Sequence, residues 1–217
     1  PRDVVARNNL GTALHKAGDV RGALQVYQDA LQVEPTSSLL HFNIGNSYLE
    51  LGIAAEPQLL LQAVSAYTTA LVHQPTYLAA MNNLGNALKE ADQLAYARRA
   101  WEGALRLSPV ESDVFANLVH LRLFTADWSN RNRNFRRLVK NTREQLEKNE
   151  SVSVQPFHAL LYGPIPPELP LLIAQSYARE VMHTTRLLPS LPLSPWSTGP
   201  LRVGYLSHDF GNHPSGH

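Results

Sequence analysis

The chain has 217 residues with a hydrophobic share of 44%, enough for one large or two small domains and too much for wholesale disorder. Nineteen basic against eighteen acidic residues leave a net charge of +1, which argues against general polyanion binding, so no nucleic-acid partner is expected. Cysteine is absent, excluding disulfides and thiolate metal sites, and no apolar stretch approaches the roughly 18–20 residues of a spanning helix, so no membrane partner is expected either.

Pro1 is not a methionine, no secretory signal opens the chain, and repeat-like sequence is already running by Val4. With an equally abrupt end at His217, both termini read as cuts in a longer protein. Asn8-Asn9-Leu10-Gly11 returns as Asn82-Asn83-Leu84-Gly85, and the rest of the register follows. Gly11, Ala23, Tyr27, Ala30 and Pro35 have counterparts in Gly45, Ala63, Tyr67, Ala70 and Pro75, then in Gly85, Ala97, Trp101, Ala104 and Pro109. Small residues at fixed phase let two antiparallel helices approach, large aromatics fill the gap between one hairpin and the next, and proline stops the second helix. This is the residue pattern of a tetratricopeptide (TPR) hairpin, which buries its apolar face only by stacking on neighbours. A fourth unit starts at Phe115 and Leu118 and drifts off pattern after Leu121, so residues 1–126 read as three repeats and a partial fourth. Pro75 to Pro109 spans 34 residues but Pro35 to Pro75 spans 40, with the excess between Gly52 and Ala63; Pro57 is expected in the first turn of a lengthened second helix.

The residue before each Leu-Gly pair, or its equivalent, is Asn9, Asn43, Asn83 and Asn117, at spacings of 34, 40 and 34. Asparagine is a poor mid-helix residue, so four at one phase suggest a task. A carboxamide offers donors and an acceptor that match one peptide unit without reading its side chain, which makes this row a candidate site for an extended polypeptide. The alternative is that these amides bond to neighbouring helices.

Residues 127–187 form a helical connector. Phe135, Leu138, Val139, Thr142 and Leu146 make a helical stripe that predicts one amphipathic helix over Asn132–Lys148. Its other face carries Arg133, Arg136, Arg137, Lys140 and Arg143, read as a solvated face because no glycine-rich phosphate loop or aromatic platform accompanies it. Asn149–Gln155 reads as a loop, Phe157–Tyr162 and Leu169–Leu187 as helical, and the proline-rich residues 188–200 as a linker.

Leu201-Arg202-Val203-Gly204-Tyr205-Leu206-Ser207 has the content of a buried strand, and it runs into His208-Asp209-Phe210-Gly211-Asn212-His213-Pro214. A strand that ends in such a loop is how an open α/β sheet makes a ligand crevice, where His213 would serve as a general base or polar anchor. His208, His213 and His217, with Asp209, also have a loose metal-site spacing, and hydrogen bonding within the loop is a third reading.

Residues 201–217 closely resemble the first catalytic-domain strand and loop of the O-linked N-acetylglucosamine transferases. Ala126-Asp127-Trp128-Ser129 and Glu144-Gln145-Leu146-Glu147-Lys148-Asn149 are similar to that family's junction between TPR array and catalytic lobe. The related protein O-fucosyltransferases lack the Gly211–Pro214 run, while Ser215-Gly216 stands where the family more often has Thr-Ser. The resemblance implies a mainly α chain, a TPR α-solenoid followed by a helical connector and the first strand of a truncated GT-B-like α/β catalytic domain.

It further implies metal-independent, inverting transfer from UDP-N-acetylglucosamine (UDP-GlcNAc) to Ser or Thr hydroxyls of extended polypeptides. His213 then takes the place of the family's active-site histidine, and the setting is cytoplasmic or nuclear. A homodimer through the array is compatible with the pattern. The family's nucleotide-binding residues lie mostly in a later lobe, so the 217-residue chain alone is expected to be inactive. The alternative is a TPR adaptor without chemistry. One that clamps a terminal carboxylate would want Lys and Arg where Asn8, Asn9, Phe42, Asn43, Asn82 and Asn83 stand.

Overall fold

All regular structure among the described residues, which are 4–159, 166 and 168–185 of a computed structural model, is helical. In chain order the helices are α1 (Val4–Lys16), α2 (Val20–Leu31), α3 (Ser38–Ala54), α4 (Leu59–His73) and α5 (Leu78–Glu90). They continue as α6 (Leu94–Leu107), α7 (Ser112–Phe124), α8 (Arg131–Glu147), α9 (Pro156–Ala159) and α10 (Glu168–Thr185). Contacts divide the chain after Glu180, and the second unit is described only through the last residues of α10. The linker at 188–200, the strand at 201–207 and the histidine loop lie outside the described residues.

The first three hairpins, α1–α2, α3–α4 and α5–α6, close on one recurring contact. Tyr27 lies against Gly11, Tyr67 against Gly45 and Trp101 against Gly85. A Cβ built on Gly11 or Gly45 would stand 2.5 or 2.6 Å from the tyrosine ring, and on Gly85 it would collide with the indole nitrogen. Tyr67 and Trp101 are only 0% and 1% exposed, so neither ring has room to yield. The alanines of the second helices (Ala23, Ala30, Ala63, Ala70, Ala97 and Ala104) are fully buried and complete the close approach.

A left-handed residue turns the chain between helices at one phase: Gly18 (φ 87°), Asp92 (φ 57°) and Ala126 (φ 55°). The next residue's N–H reaches back to the helix in each case, Asp19 to the Leu14 carbonyl (2.9 Å), Gln93 to Leu88 (2.7 Å) and Asp127 to Arg122 (2.8 Å). This is the Schellman arrangement, which satisfies carbonyls orphaned at a helix end. The second hairpin departs from it. The inserted residues mainly extend the first helix, α3, to Ala54, and Pro57 lies in the turn before α4 rather than inside it. The Pro57 carbonyl accepts from Leu60 N–H (3.1 Å), and Leu60 packs on Gly52, so that glycine admits a neighbour instead of ending its helix.

The Ala126 turn leads into α8, where Phe135 stands 34 residues after Trp101 and Leu138 stands 34 after Ala104. The structure thus places α8 second in a fourth hairpin. Val119 replaces the glycine of the earlier units, and α7 and α8 touch over a shorter seam than the first three pairs. The expected stripe does face inward. Phe135, Leu138 and Thr142 are buried, with Val139 and Leu146 packed beside them over Phe115, Ala116 and Val119. Val154, Ala159, Leu169 and Ile173 close this core from the loop, α9 and α10, and Ser151 donates to Glu180 (3.0 Å).

Gly85→Ala is expected to destabilise the protein by about 1–3 kcal/mol through overpacking against Trp101. Gly103→Ala, whose new Cβ would meet only the tip of Arg106 at 3.6 Å, should be neutral or gain up to about 1 kcal/mol of helix propensity. Thermal unfolding followed by circular dichroism distinguishes the two.

Candidate functional site

Successive odd-numbered helices touch one another, α1 with α3 and α3 with α5, and α7 hydrogen-bonds to α5. They therefore form the inner wall of the array, and the four phased asparagines lie on them. Asn9 is exposed, and Asn43, Asn83 and Asn117 are half-buried. Each of those three donates from Nδ2 to an asparagine oxygen on the preceding odd helix. Asn43 bonds Asn8 Oδ1 at 2.7 Å, Asn83 bonds Asn46 Oδ1 at 2.8 Å, and Asn117 bonds Asn82 Oδ1 at 3.1 Å and Asn86 Oδ1 at 3.3 Å. The amides thus tie hairpin to hairpin, and Oδ1 of Asn43, Asn83 and Asn117 has no partner among the described residues.

The accepting asparagines stand at two positions, three before or one after the glycine of their helix, four residues apart and so on the same face. Helix α1 supplies the first, Asn8, with Thr12 at the other. Helix α3 supplies the second, Asn46, with Phe42 at the other. Helix α5 supplies both, Asn82 and Asn86. The packing aromatics reach the same amides. Tyr67 Oη donates to Asn46 Oδ1 (2.7 Å) and Trp101 Nε1 to Asn82 Oδ1 (3.1 Å), while in α1 Thr12 Oγ1 meets Tyr27 Oη at 3.2 Å. Burial raises the Tyr67 pKa, only partly opposed by a hydrogen bond with Asn83, and keeps the hydroxyl protonated as a donor. A search for one repeating phase does not find this accepting row, because its oxygen alternates between positions.

Part of the basic face of α8 is spent within the protein. Arg137 bonds the Pro109 carbonyl and lies 3.8 Å over the Phe115 ring, Arg131 lies over Trp128 and Phe135, and Lys140 pairs with Glu144 at 3.6 Å. Arg136 and Arg143 line a cleft of about 940 Å³ whose floor includes Phe135 and Val139. The junction tetrapeptide is a turn: Asp127 accepts from Ser129 N–H (3.0 Å) and pairs with Arg98 (3.8 Å) and Arg122 (3.9 Å). The His120 and His158 rings stack at 3.8 Å, joining α7 to α9. Among the described residues no group of three metal-ligating side chains converges. None of their helices is long and apolar enough to cross a membrane. His213, His208 and His217 lie outside the described residues.

Residues 125–217 match the family model described as Glycosyl transferase family 41, and residues 11–52 match a TPR repeat model. A probable UDP-N-acetylglucosamine–peptide N-acetylglucosaminyltransferase of Arabidopsis thaliana is 35% identical over 113 residues, 46% of this chain and 11% of that protein. A Caenorhabditis elegans UDP-N-acetylglucosamine–peptide N-acetylglucosaminyltransferase is 33% identical over 99 residues, 42% of this chain and 8% of that protein. The chain thus spans about a tenth of the length of these relatives. In fold, it is similar to MamA from Desulfovibrio magneticus RS-1 (21% identity, TM-score 0.59, 66% of this chain and 78% of that one). It is also similar to a Thermobaculum terrenum O-GlcNAc transferase mutant (19% identity, TM-score 0.57, 65% of this chain and 26% of that one). A third fold relative is the first TPR of Spaghetti (RPAP3) bound to an HSP90 peptide (20% identity, TM-score 0.52, 57% and 93%).

Acid is expected to loosen the α7–α9 junction. Burial, then the neighbouring His158 and Lys89, lowers the His120 pKa from 6.5 to about 4, and burial also lowers that of His158. The unfolded imidazoles take up protons that the folded ones refuse, so stability is unaffected above pH 6.5 and falls as pH drops toward 4. His120→Phe, which keeps a ring in the stack, should flatten that fall in unfolding midpoints measured across the window.

Proposed function

We propose that the chain joins a TPR array to a segment of a family 41 glycosyl transferase, and that its inner amide row holds an extended acceptor polypeptide for the neighbouring transferase domain. The observation that carries this reading is the row itself. Asn43, Asn83 and Asn117 recur at one phase on the inner wall, each with an oxygen uncommitted among the described residues. A carboxamide oxygen accepts from a backbone N–H whatever side chain follows, so one such group per hairpin holds many sequences, each weakly. Asn9, exposed on α1, extends the row by one hairpin.

In the intact enzyme the acceptor's Ser or Thr hydroxyl attacks the anomeric carbon of UDP-GlcNAc. The new C–O bond forms as the bond to UDP breaks, with inversion, and the hydroxyl proton passes to a base. His213, at the position of the family's active-site histidine, is the residue of this chain assigned beside the acceptor hydroxyl, and no metal ion is required. The donor follows from what the Arabidopsis and Caenorhabditis relatives are named for, and a cytoplasmic or nuclear setting follows from the family resemblance alone.

Asn43→Ala/Asn83→Ala is expected to weaken binding of an unstructured Ser/Thr-rich peptide by roughly tenfold, about one net hydrogen bond's worth per site at the lower end of the usual range. Unchanged affinity in calorimetric titration removes the peptide-binding role. In the full-length enzyme, His213→Ala should lower transfer of N-acetylglucosamine to a protein acceptor by at least about a hundredfold, as loss of a general base or positioning group does. Full activity in a radiolabelled-sugar assay excludes the histidine from the site.

A further inference from the structure

Behind the ladder stands a second row of amides, and we propose that Asn8, Asn46 and the Asn82/Asn86 pair are positioning residues for the bound polypeptide. They fix the rotation of Asn43, Asn83 and Asn117 so that each keeps its oxygen free of the second row and available to a ligand. The inference rests on the peptide-binding reading above and adds to it which atoms the groove offers.

The torsion that turns a carboxamide is broad and close to two-fold, so an unrestrained asparagine exchanges donor for acceptor at one spot. A bond from Nδ2 to a fixed oxygen removes that freedom. All three second-row contacts run this way, at 2.7, 2.8 and 3.1 Å, with the ladder residue always the donor. Two of the accepting oxygens are themselves held. Asn46 Oδ1 takes Tyr67 Oη as well as Asn83 Nδ2, which occupies both its lone pairs, and Asn82 Oδ1 takes Trp101 Nε1 as well as Asn117. The oxygen persists while its residue changes place, one turn along the helix when Thr12 or Phe42 occupies the alternative position. Packing alone does not require an acceptor at a moving position; orienting the donor that meets it does. The groove thereby offers a row of acceptors to a ligand's backbone N–H groups.

A double-mutant cycle tests this, by calorimetric titration of an unstructured Ser/Thr-rich synthetic peptide into the 217-residue chain. Asn46→Ala is expected to weaken binding roughly three- to tenfold, and Asn46→Asp, which keeps an oxygen for Asn83 and Tyr67, to stay within about twofold of the parent. Added to Asn83→Ala, Asn46→Ala should cause no further loss. If Asn83→Ala weakens binding but Asn46→Ala does not, or if the two losses simply multiply, positioning is overturned while the peptide reading stands. Unchanged affinity in Asn83→Ala overturns both. Should Asn46→Ala lose cooperative unfolding, Asn8→Ala with Asn43→Ala supplies the same cycle, with the same outcomes, on the first hairpin.

Discussion

The approach of a large ring onto a bare backbone holds the array together. At Gly11, Gly45 and Gly85 the first helix of a hairpin offers no Cβ, and Tyr27, Tyr67 and Trp101 occupy that space. The contact sets how near the two helices come, and the row of fully buried alanines on the second helix depends on that nearness. Where Val119 fills the place of glycine, the pair α7–α8 parts, and the gap is taken by α9, α10 and Val154 from the loop before α9. One side chain thus marks where hairpin stacking gives way to the segment matched by the transferase family.

The same rings carry polar tips into the inner wall. Tyr67 and Trp101 each end on an asparagine oxygen, so the residue that packs a hairpin also orders the amides between hairpins. Buried polar groups of this kind are stable only when satisfied, and here the satisfaction runs from outer helix to inner helix and on to the next repeat. Core and candidate binding surface are therefore one network, read from opposite sides.

Much of this was legible in the residues alone. The repeat, its small and large positions, and the helix at Arg131–Glu147 follow from period and residue size, and they were expected within a residue or two. Propensity misled at Pro57, because a proline in the turn before a helix looks the same in sequence as one in its first turn. The membership of α8 in a fourth hairpin was hidden by Val119 and by arginines that lie over rings rather than in solvent. Of the accepting asparagines, Asn8 and Asn82 stand at an inner position read from the repeat, whereas Asn46 and Asn86 escaped it, and the His120–His158 stack joins residues too far apart in sequence for any periodicity to connect. The closing histidine motif lies outside the described residues.

Asn117 divides its bond between Asn82 and Asn86, whereas Asn43 and Asn83 each meet a single asparagine oxygen. The third hairpin therefore holds, at once, the two solutions that the first and second hairpins use separately. Either oxygen can be lost there without leaving the Asn117 amide adrift. One repeat thus tolerates a loss that its sisters do not.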